Sequence, residues 1–325
     1  MKISQLRSLA QSDRHAMLSE IRKNINQALA DEGYDLTLIY QEIEMDSLFV
    51  DSHDDLSLPG DVVQLHSHSF YELLYCRSSG SEYLLGPKRY RVRKGDVIYI
   101  PPGISHRPLF LEHLAEPYTR YVIWLSPEYA SHLMDSFPGQ QLLPDTPFLL
   151  STMGTAWEEL GARFRAGVQE AQRGEEGWQA ALCAGTLQIL VHLMRARKNE
   201  VALSPPEEKM ELLDELLLYI EKHMSEKITL ADTAHRFLVS ESSISQLFRK
   251  RLKVSFYRFV TQRRLISAKT LILEGVLAEQ AGAQVGFGDY STFFRAFKRE
   301  YGLSPTEYRK LMEEPLPDAQ ILPDA

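Results

Sequence analysis

The chain has 325 residues, of which 44% are hydrophobic and 25% charged, with a formal net charge of −8. That length is roughly twice a typical domain and the composition sits near globular averages, which excludes a fibrous protein, extended disorder and a single small domain. No apolar run approaches the roughly twenty residues of a bilayer crossing, and Met1-Lys2-Ile3-Ser4-Gln5 lacks a signal-peptide block, so a cytoplasmic chain with no membrane partner is expected.

In chain order, residues 1–45 place Leu18, Ile21, Ile25 and Leu29 at helical spacing, which predicts a helical extension docked on something larger. From about Val62 to Leu125 the period falls to two, as in Arg89-Tyr90-Arg91-Val92-Arg93 and Asp96-Val97-Ile98-Tyr99-Ile100. Gly80, Gly86-Pro87, Lys94-Gly95 and Pro101-Pro102-Gly103 supply turns, so residues 46–126 read as an antiparallel sandwich or barrel. Cys76 and Cys183 have no metal spacing and are expected as buried free thiols.

Beyond Pro127 helical spacing returns. Trp157, Leu160, Phe164 and Val168 form one stripe, and Leu182, Ile189, Leu190 and Leu193 a second. Residues 127–197 are thus a helical region that serves as core, dimer contact or lid. Ser204-Pro205-Pro206-Glu207-Glu208 marks a solvated linker at 198–209. Residues 210–312 are helical almost throughout, and 313–325 read as a flexible tail. The fold class is α+β and multidomain, with a β-barrel flanked by helices ahead of an all-α C-terminal domain.

Charge divides along the same line. Lys209 to Lys310 holds seventeen Lys and Arg against twelve Asp and Glu, a net of +5, which leaves −13 elsewhere. Phosphate binding needs cations, so the basic half is the one suited to nucleic acid.

Within that half, Thr229 can cap a short helix with Leu230, Ala234 and Phe237 inward, and after Leu238-Val239, Ser240 can cap a second. Ile244, Leu247 and Phe248 share the buried face of the second helix, whereas Ser242, Ser245, Gln246 and Arg249 fall on the other. This is a helix-turn-helix with a polar reading face, although a solvated helix face would look the same. The design repeats about fifty residues on. Ala278, Ala281 and Val285 turn inward, Gly286-Phe287-Gly288 makes the turn, and Asp289 can cap a helix burying Phe293 and Phe297. Its outer face carries Ser291, Arg295, Lys298 and Arg299. Phe256 to Glu274 is a helix long enough to hold the two units rigidly apart, roughly one DNA turn or ~34 Å.

The run Gly286-Phe287-x-Asp289-x-Ser291-x-Phe293-x-Arg295-x-Phe297-Lys298, with Gly302-x-Ser304-Pro305-x-Glu307-Tyr308-Arg309, resembles the signature of the AraC/XylS family of transcription regulators. So do Ser240, Leu247-Phe248-Arg249-Lys250 and Arg264-Leu265-x-x-Ala268 upstream; the likeness spans about a hundred residues. It implies that Ser242, Ser245, Gln246 and Arg249 from one helix, and Tyr290, Ser291, Arg295 and Lys298 from the other, contact DNA. Arg295 would pair with guanine and Gln246 with adenine. It also implies double-stranded DNA, an effector, a second copy and RNA polymerase as partners, in an activator that is not an enzyme. Phe294 stands where the family has a small polar residue, and Ala278 and Ala281 are smaller than usual, which predicts loose packing in the second unit.

Gly60-x5-His66-Ser67-His68-x3-Glu72 and Gly95-x5-Pro101-x-Gly103-x2-His106 resemble the two motifs of the cupin fold, a small β-barrel. Phe110 replaces that family's closing asparagine, and Glu72 to Gly80 is one residue longer than usual. Three imidazoles and a carboxylate, His66, His68, Glu72 and His106, make a first shell for a divalent transition metal, or a set that hydrogen-bonds a ligand. Tyr71, Tyr75, Tyr83, Tyr99 and Trp124 also lie on the strands, and Tyr75 and Trp124 are placed with the four as effector contacts, suited to stacking on a sugar. Two other readings stand beside the effector-responsive regulator: a metal-dependent cupin enzyme with a helical appendage, and a DNA-binding protein whose barrel is only a scaffold.

Overall fold

The computed structural model describes residues 45, 47–57, 63–109, 114, 116–198 and 210–313. The expected N-terminal helix with Leu18, Ile21, Ile25 and Leu29, as well as Gly60, Phe110, nearly all of the linker and the tail, lie outside the described residues. Two compact units divide the chain, one of Ser47–Leu218 and one that takes in Tyr219 onward.

In the first unit, strands β1 (Val50–Ser57), β7 (Tyr118–Leu125), β2 (Tyr71–Cys76), β5 (Asp96–Ile100) and β8 (Phe148–Ser151) pair antiparallel in that spatial order. A second sheet holds β4 (Lys88–Arg91), β3 (Glu82–Leu85) and β6 (His106–Leu109). Strand β8 falls in the region read as helical: its apolar Phe-Leu-Leu run becomes a strand because β5 offers an open edge, with Val97 opposite Leu150. Three helices follow the barrel strands, α1 (Pro127–Ser136), α2 (Leu160–Arg173) and α3 (Trp178–Lys198).

Alternation along the larger sheet sends Val50, Leu73, Tyr75, Val97, Tyr99, Ile123 and Leu125 to one face. There they share a core with Leu133 of α1, Leu160 and Phe164 of α2, and Leu182, Ile189, Leu190 and Leu193 of α3. Burying each such side chain is worth roughly 1.5–3 kcal/mol, so the helical stripes read from sequence are spent on covering this sheet. The other face, with His53, Glu72 and Trp124, meets the smaller sheet. Cys76 is buried and Cys183 half-buried, both unbridged. Burial pushes the Cys76 thiol up to about 12, which leaves it inert near neutral pH.

Helix α4 (Leu212–Lys222) begins in the first unit and ends in the second, so the division falls inside it rather than at the expected boundary before residue 210. The second unit continues with α5 (Leu230–Arg236), α6 (Glu241–Leu247) extended by a π-turn at Phe248–Leu252, α7 (Phe256–Leu273), α8 (Ala278–Gln284), α9 (Tyr290–Tyr301) and α10 (Pro305–Glu313). The three expected caps form. Thr229 accepts from Asp232 N at 3.1 Å, Ser240 from Ser243 N at 3.1 Å and Asp289 from Thr292 N at 2.8 Å. Ser255 adds a fourth at the start of α7. Phe248 of the first helix pair packs on Phe256 and Phe259 of α7, at ring distances of 5.2 and 5.5 Å. The other end of α7 gives Leu265, Ala268 and Ile272 to a core with Ala281, Val285, Phe293 and Phe297 of the second pair.

The second pair is close-packed, contrary to the looseness its alanines predict: Ala281 is fully buried, and the backbone at Gly282 lies directly against the Phe293 ring. Gly286, at φ +91°, turns the chain there, and a Cβ would come 2.4 Å from the Met224 carbonyl oxygen, so no other residue fits. Arg264 of α7 secures the same spot, donating to Met224 O at 2.9 Å and Glu226 O at 2.5 Å.

Candidate functional site

Two sites stand out, one in each unit. In the first, the antiparallel register puts Trp124 opposite Glu72, and the Trp124 indole donates to Glu72 Oε1 at 2.8 Å. The second carboxylate oxygen, Oε2, lies 3.2 Å from His106 Nε2 and 3.5 Å from His68 Nε2. Glu72 belongs to the larger sheet and His106 to the smaller, so this contact also shows the two sheets facing each other. His66 joins the group by a backbone bridge to His106, with ring centres 4.3 Å apart.

Each of the three rings is fixed by its other nitrogen. Nδ1 of His66 meets Gln64 O, Nδ1 of His68 meets Phe70 O, and Nδ1 of His106 meets Ile104 O, all at 2.8 Å. A carbonyl oxygen only accepts, so each Nδ1 carries a proton, and in a neutral ring Nε2 then presents a lone pair. Burial lowers the His68 pKa and takes His66 well below the ordinary imidazole value, which keeps both neutral. Burial would push the Glu72 carboxyl up, but its close contacts with His106 and His68 outweigh it and hold that group well below the carboxylate range.

The His68 Nε2 contact with Glu72 Oε2 is a long hydrogen bond at 3.5 Å, and it needs a proton on Nε2 that a neutral His68 bonded through Nδ1 does not carry. His106 Nε2, although close to Glu72, makes no directional hydrogen bond. His68, Glu72 and His106 thus bring three buried polar atoms within 4.8 Å of one another. The orphaned buried nitrogen and the N,N,O donor set fit a divalent transition metal, with His66 beside them.

Further along the same inner face, His53 sets its ring edge-on to Trp124 at 4.9 Å, and Arg120 pairs with Asp55, donates to Ser57 Oγ at 3.1 Å and covers the Tyr118 ring at 4.9 Å. Sequence reading missed these groups. Their signal was the alternation Asp51, His53, Asp55, Ser57, which has the period of a strand but turns its polar side chains inward.

Of the expected effector contacts, His66, His68, Glu72, His106 and Trp124 come together and Tyr75 does not. Tyr75 stands three residues from Glu72 on β2, an odd step that turns it to the helix face, where it packs on Phe164 at 5.6 Å and over Gly161. Tyr71 and Tyr99 share that face, whereas Tyr83 stacks towards His106 at 6.3 Å.

In the second unit, Ser242, Gln246 and Arg249 of the first pair are exposed and Ser245 is half-exposed, on the side away from buried Ile244 and Phe248. The Ser242 hydroxyl meets Ser240 Oγ at 2.8 Å and so takes part in the cap. Tyr290, Ser291, Arg295 and Lys298 are exposed on α9. Phe294 is half-buried against the Tyr290 ring at 6.0 Å.

Comparison with known proteins agrees with this division. Residues 55–182 match a family profile described as an AraC-like ligand binding domain, and residues 233–311 match a helix-turn-helix domain. The chain is 25% identical to the HTH-type transcriptional activator RhaR of Escherichia coli (strain K12 / MC4100 / BW2952), over 78% of this chain and 89% of that one. The probable transcriptional regulator LumQ of Photobacterium leiognathi is 36% identical over 106 residues, which are 32% of this chain and 43% of LumQ. Among solved structures, ToxT of Vibrio cholerae aligns over 81% of this chain and 98% of its own, with 12% identity and a TM-score of 0.37. Among the described residues, no helix is long and apolar enough to cross a membrane.

Proposed function

Because the chain belongs to the AraC family of transcription regulators, with a ligand-binding domain ahead of a helix-turn-helix domain, we propose that both helix pairs read double-stranded DNA and that the inner face of the barrel receives the effector. Ser242, Ser245, Gln246 and Arg249 contact one major-groove segment, and Tyr290, Ser291, Arg295 and Lys298 the next. The observation that carries this is the repetition: two capped helices, each with a polar outer face, held at opposite ends of the single helix α7.

The regulator works in the cytoplasm as a homodimer through residues 127–197. Exposed Ala162 and Ala166 on α2, with Ala180, Ala181 and Ala184 on α3, support that contact, because small side chains let helices approach closely. As an activator it also engages RNA polymerase. Effector binding acts through a difference in affinity between two states of the protein.

The test is a titration of the full-length protein into genomic fragments that include the region upstream of its own coding sequence, at two salt concentrations, beside Arg295→Ala. Tight, salt-sensitive binding to a few fragments, relaxed by the substitution, is the expected result. Uniform weak binding that ignores Arg295→Ala would sink the reading.

A further inference from the structure

We propose that Glu300, on the inward side of α9, is the residue that makes the two helix pairs engage DNA as one rigid body. The inference rests on the reading in which both pairs contact DNA, and it assigns a positioning role to a buried side chain outside the reading face.

Glu300 is 3% exposed, and Gln262 of α7, which meets it, is 1% exposed. A carboxylate taken out of water costs free energy unless it is paired, and well-packed apolar residues in the same place are often as stable or more so. Stability is therefore a poor account of Glu300. What an ion pair adds over apolar packing is a fixed direction. Arg258 Nη2 reaches Glu300 Oε2 at 2.6 Å, and Gln262 Nε2 donates to Oε1 at 3.2 Å. With both carboxylate oxygens held, the end of α9 can neither slide along α7 nor roll about its own axis without breaking a polar contact.

Position supplies the role. Phe293, Phe297 and Glu300 follow one another at helical spacing on the buried side of α9, while Tyr290, Ser291, Arg295 and Lys298 are exposed on the same helix. The two phenylalanines share a core with Leu265, Ala268 and Ile272 in the C-terminal part of α7, whereas Glu300 reaches Arg258 in its first turn. That turn is where the first pair is seated: Phe256 and Phe259 flank Arg258 in sequence, and they take the Phe248 ring at 5.2 and 5.5 Å. Ser255 caps the turn, its Oγ accepting from the Arg258 amide at 3.2 Å. One turn of α7 therefore holds both pairs, the first through rings and the second through a carboxylate. Two contacts on one rigid body reinforce each other, because once the first is made the second is held at a high effective concentration. An α9 free to rock loses part of that gain without losing any DNA contact of its own.

The experiment uses the full-length protein and a duplex that it selects from random sequence, footprinted to locate the two contact patches. Affinity is measured for the intact duplex and for two others in which one patch or the other is scrambled. Glu300→Gln keeps the shape and loses the charge; it should bind the intact duplex at least about tenfold more weakly, and the single-patch duplexes within about twofold of the parent. Replacing both partners, Arg258→Met with Glu300→Leu, should keep or raise the melting temperature and still lose the advantage of the intact duplex, which separates positioning from folding. Glu221→Gln, which breaks the ion pair of Arg263 on α7 with α4, should leave all the affinities unchanged. The proposal is overturned if Glu300→Gln binds like the parent, if it loses as much on the single-patch duplexes as on the intact one, or if the apolar pair keeps the full advantage. If scrambling a patch costs the parent itself nothing, or no duplex is selected, the reading in which both pairs contact DNA falls, and the positioning role with it.

Discussion

The ring of Phe293 lies over Gly282 so closely that a Cβ on that glycine would come 2.7 Å from the ring's Cγ. The two residues join α8 to α9, so this contact sets how the second reading helix is presented. Gly282→Ala forces the helices apart, and overpacking of this kind costs about 1–3 kcal/mol, against the roughly 1 kcal/mol that alanine gains as a helix former. A net loss of stability with a larger loss of DNA affinity is expected. Denaturant unfolding beside a DNA titration measures both, and an unchanged midpoint would mean that the pair has slack.

Lys298 and Arg295 share the exposed face of α9 but should fail differently. Lys298→Ala removes a phosphate contact, so binding weakens for every sequence and the slope of log K against log salt shrinks by about 0.9. Arg295→Ala should instead cost about 1–3 kcal/mol of discrimination at one base pair. Equal salt slopes for Lys298→Ala and the parent would remove that lysine from the interface.

Leu238, in the turn between α5 and α6, has φ 55° and is 91% exposed, so its left-handed backbone gains nothing from burial. That conformation costs a side chain with a Cβ roughly 1–2 kcal/mol, and glycine returns up to ~1 kcal/mol of it as unfolded-chain entropy. Leu238→Gly should therefore stabilise the protein by about 0.5–1 kcal/mol and leave DNA affinity alone. A lower melting temperature would show that the leucine has a partner.

The cap of α9 should give stability a pH dependence. Asp289 accepts from the Thr292 backbone amide and hydroxyl, both at 2.8 Å, and these bonds, with Arg295 nearby, hold its carboxyl below the ordinary value. A lowered folded value means that this stabilisation is fully present above the unfolded carboxyl's value of about 3.9, and is lost as pH falls through the folded value. Asp289→Asn keeps an acceptor but cannot titrate, so the melting temperatures of the two proteins should converge in acid. Parallel curves down to the acid limb would rule out the cap as the titrating group.

Much of the helical half was legible because its determinants are local. A cap such as Thr229, Ser240 or Asp289 is decided by hydrogen bonds within three residues, and the stripes repeat over several turns. That His66, His68, Glu72 and His106 come together was legible from motif spacing. Strands β1 and β8 were not, because their partners lie far away in sequence: β1 owes its state to β7, and β8 to β5. Polar residues on β1 also disguised its period, and with it His53 and Asp55. Tyr75 was misplaced because an aromatic on a strand beside the site says nothing of which face it takes until the register with β7 is known.

Helix α7, at 18 residues and so ~27 Å long, is a rigid ruler between the two reading helices, with one end in each core. Under the proposed reading, the operator then has a phase as well as a sequence. Substituting a base within either contact patch is a graded loss. One base pair inserted between the patches shifts one of them by about 3.4 Å along the duplex and about 34° around it, and a helix packed at both ends cannot follow. Promoters under this regulator should drift in letters far more readily than in length.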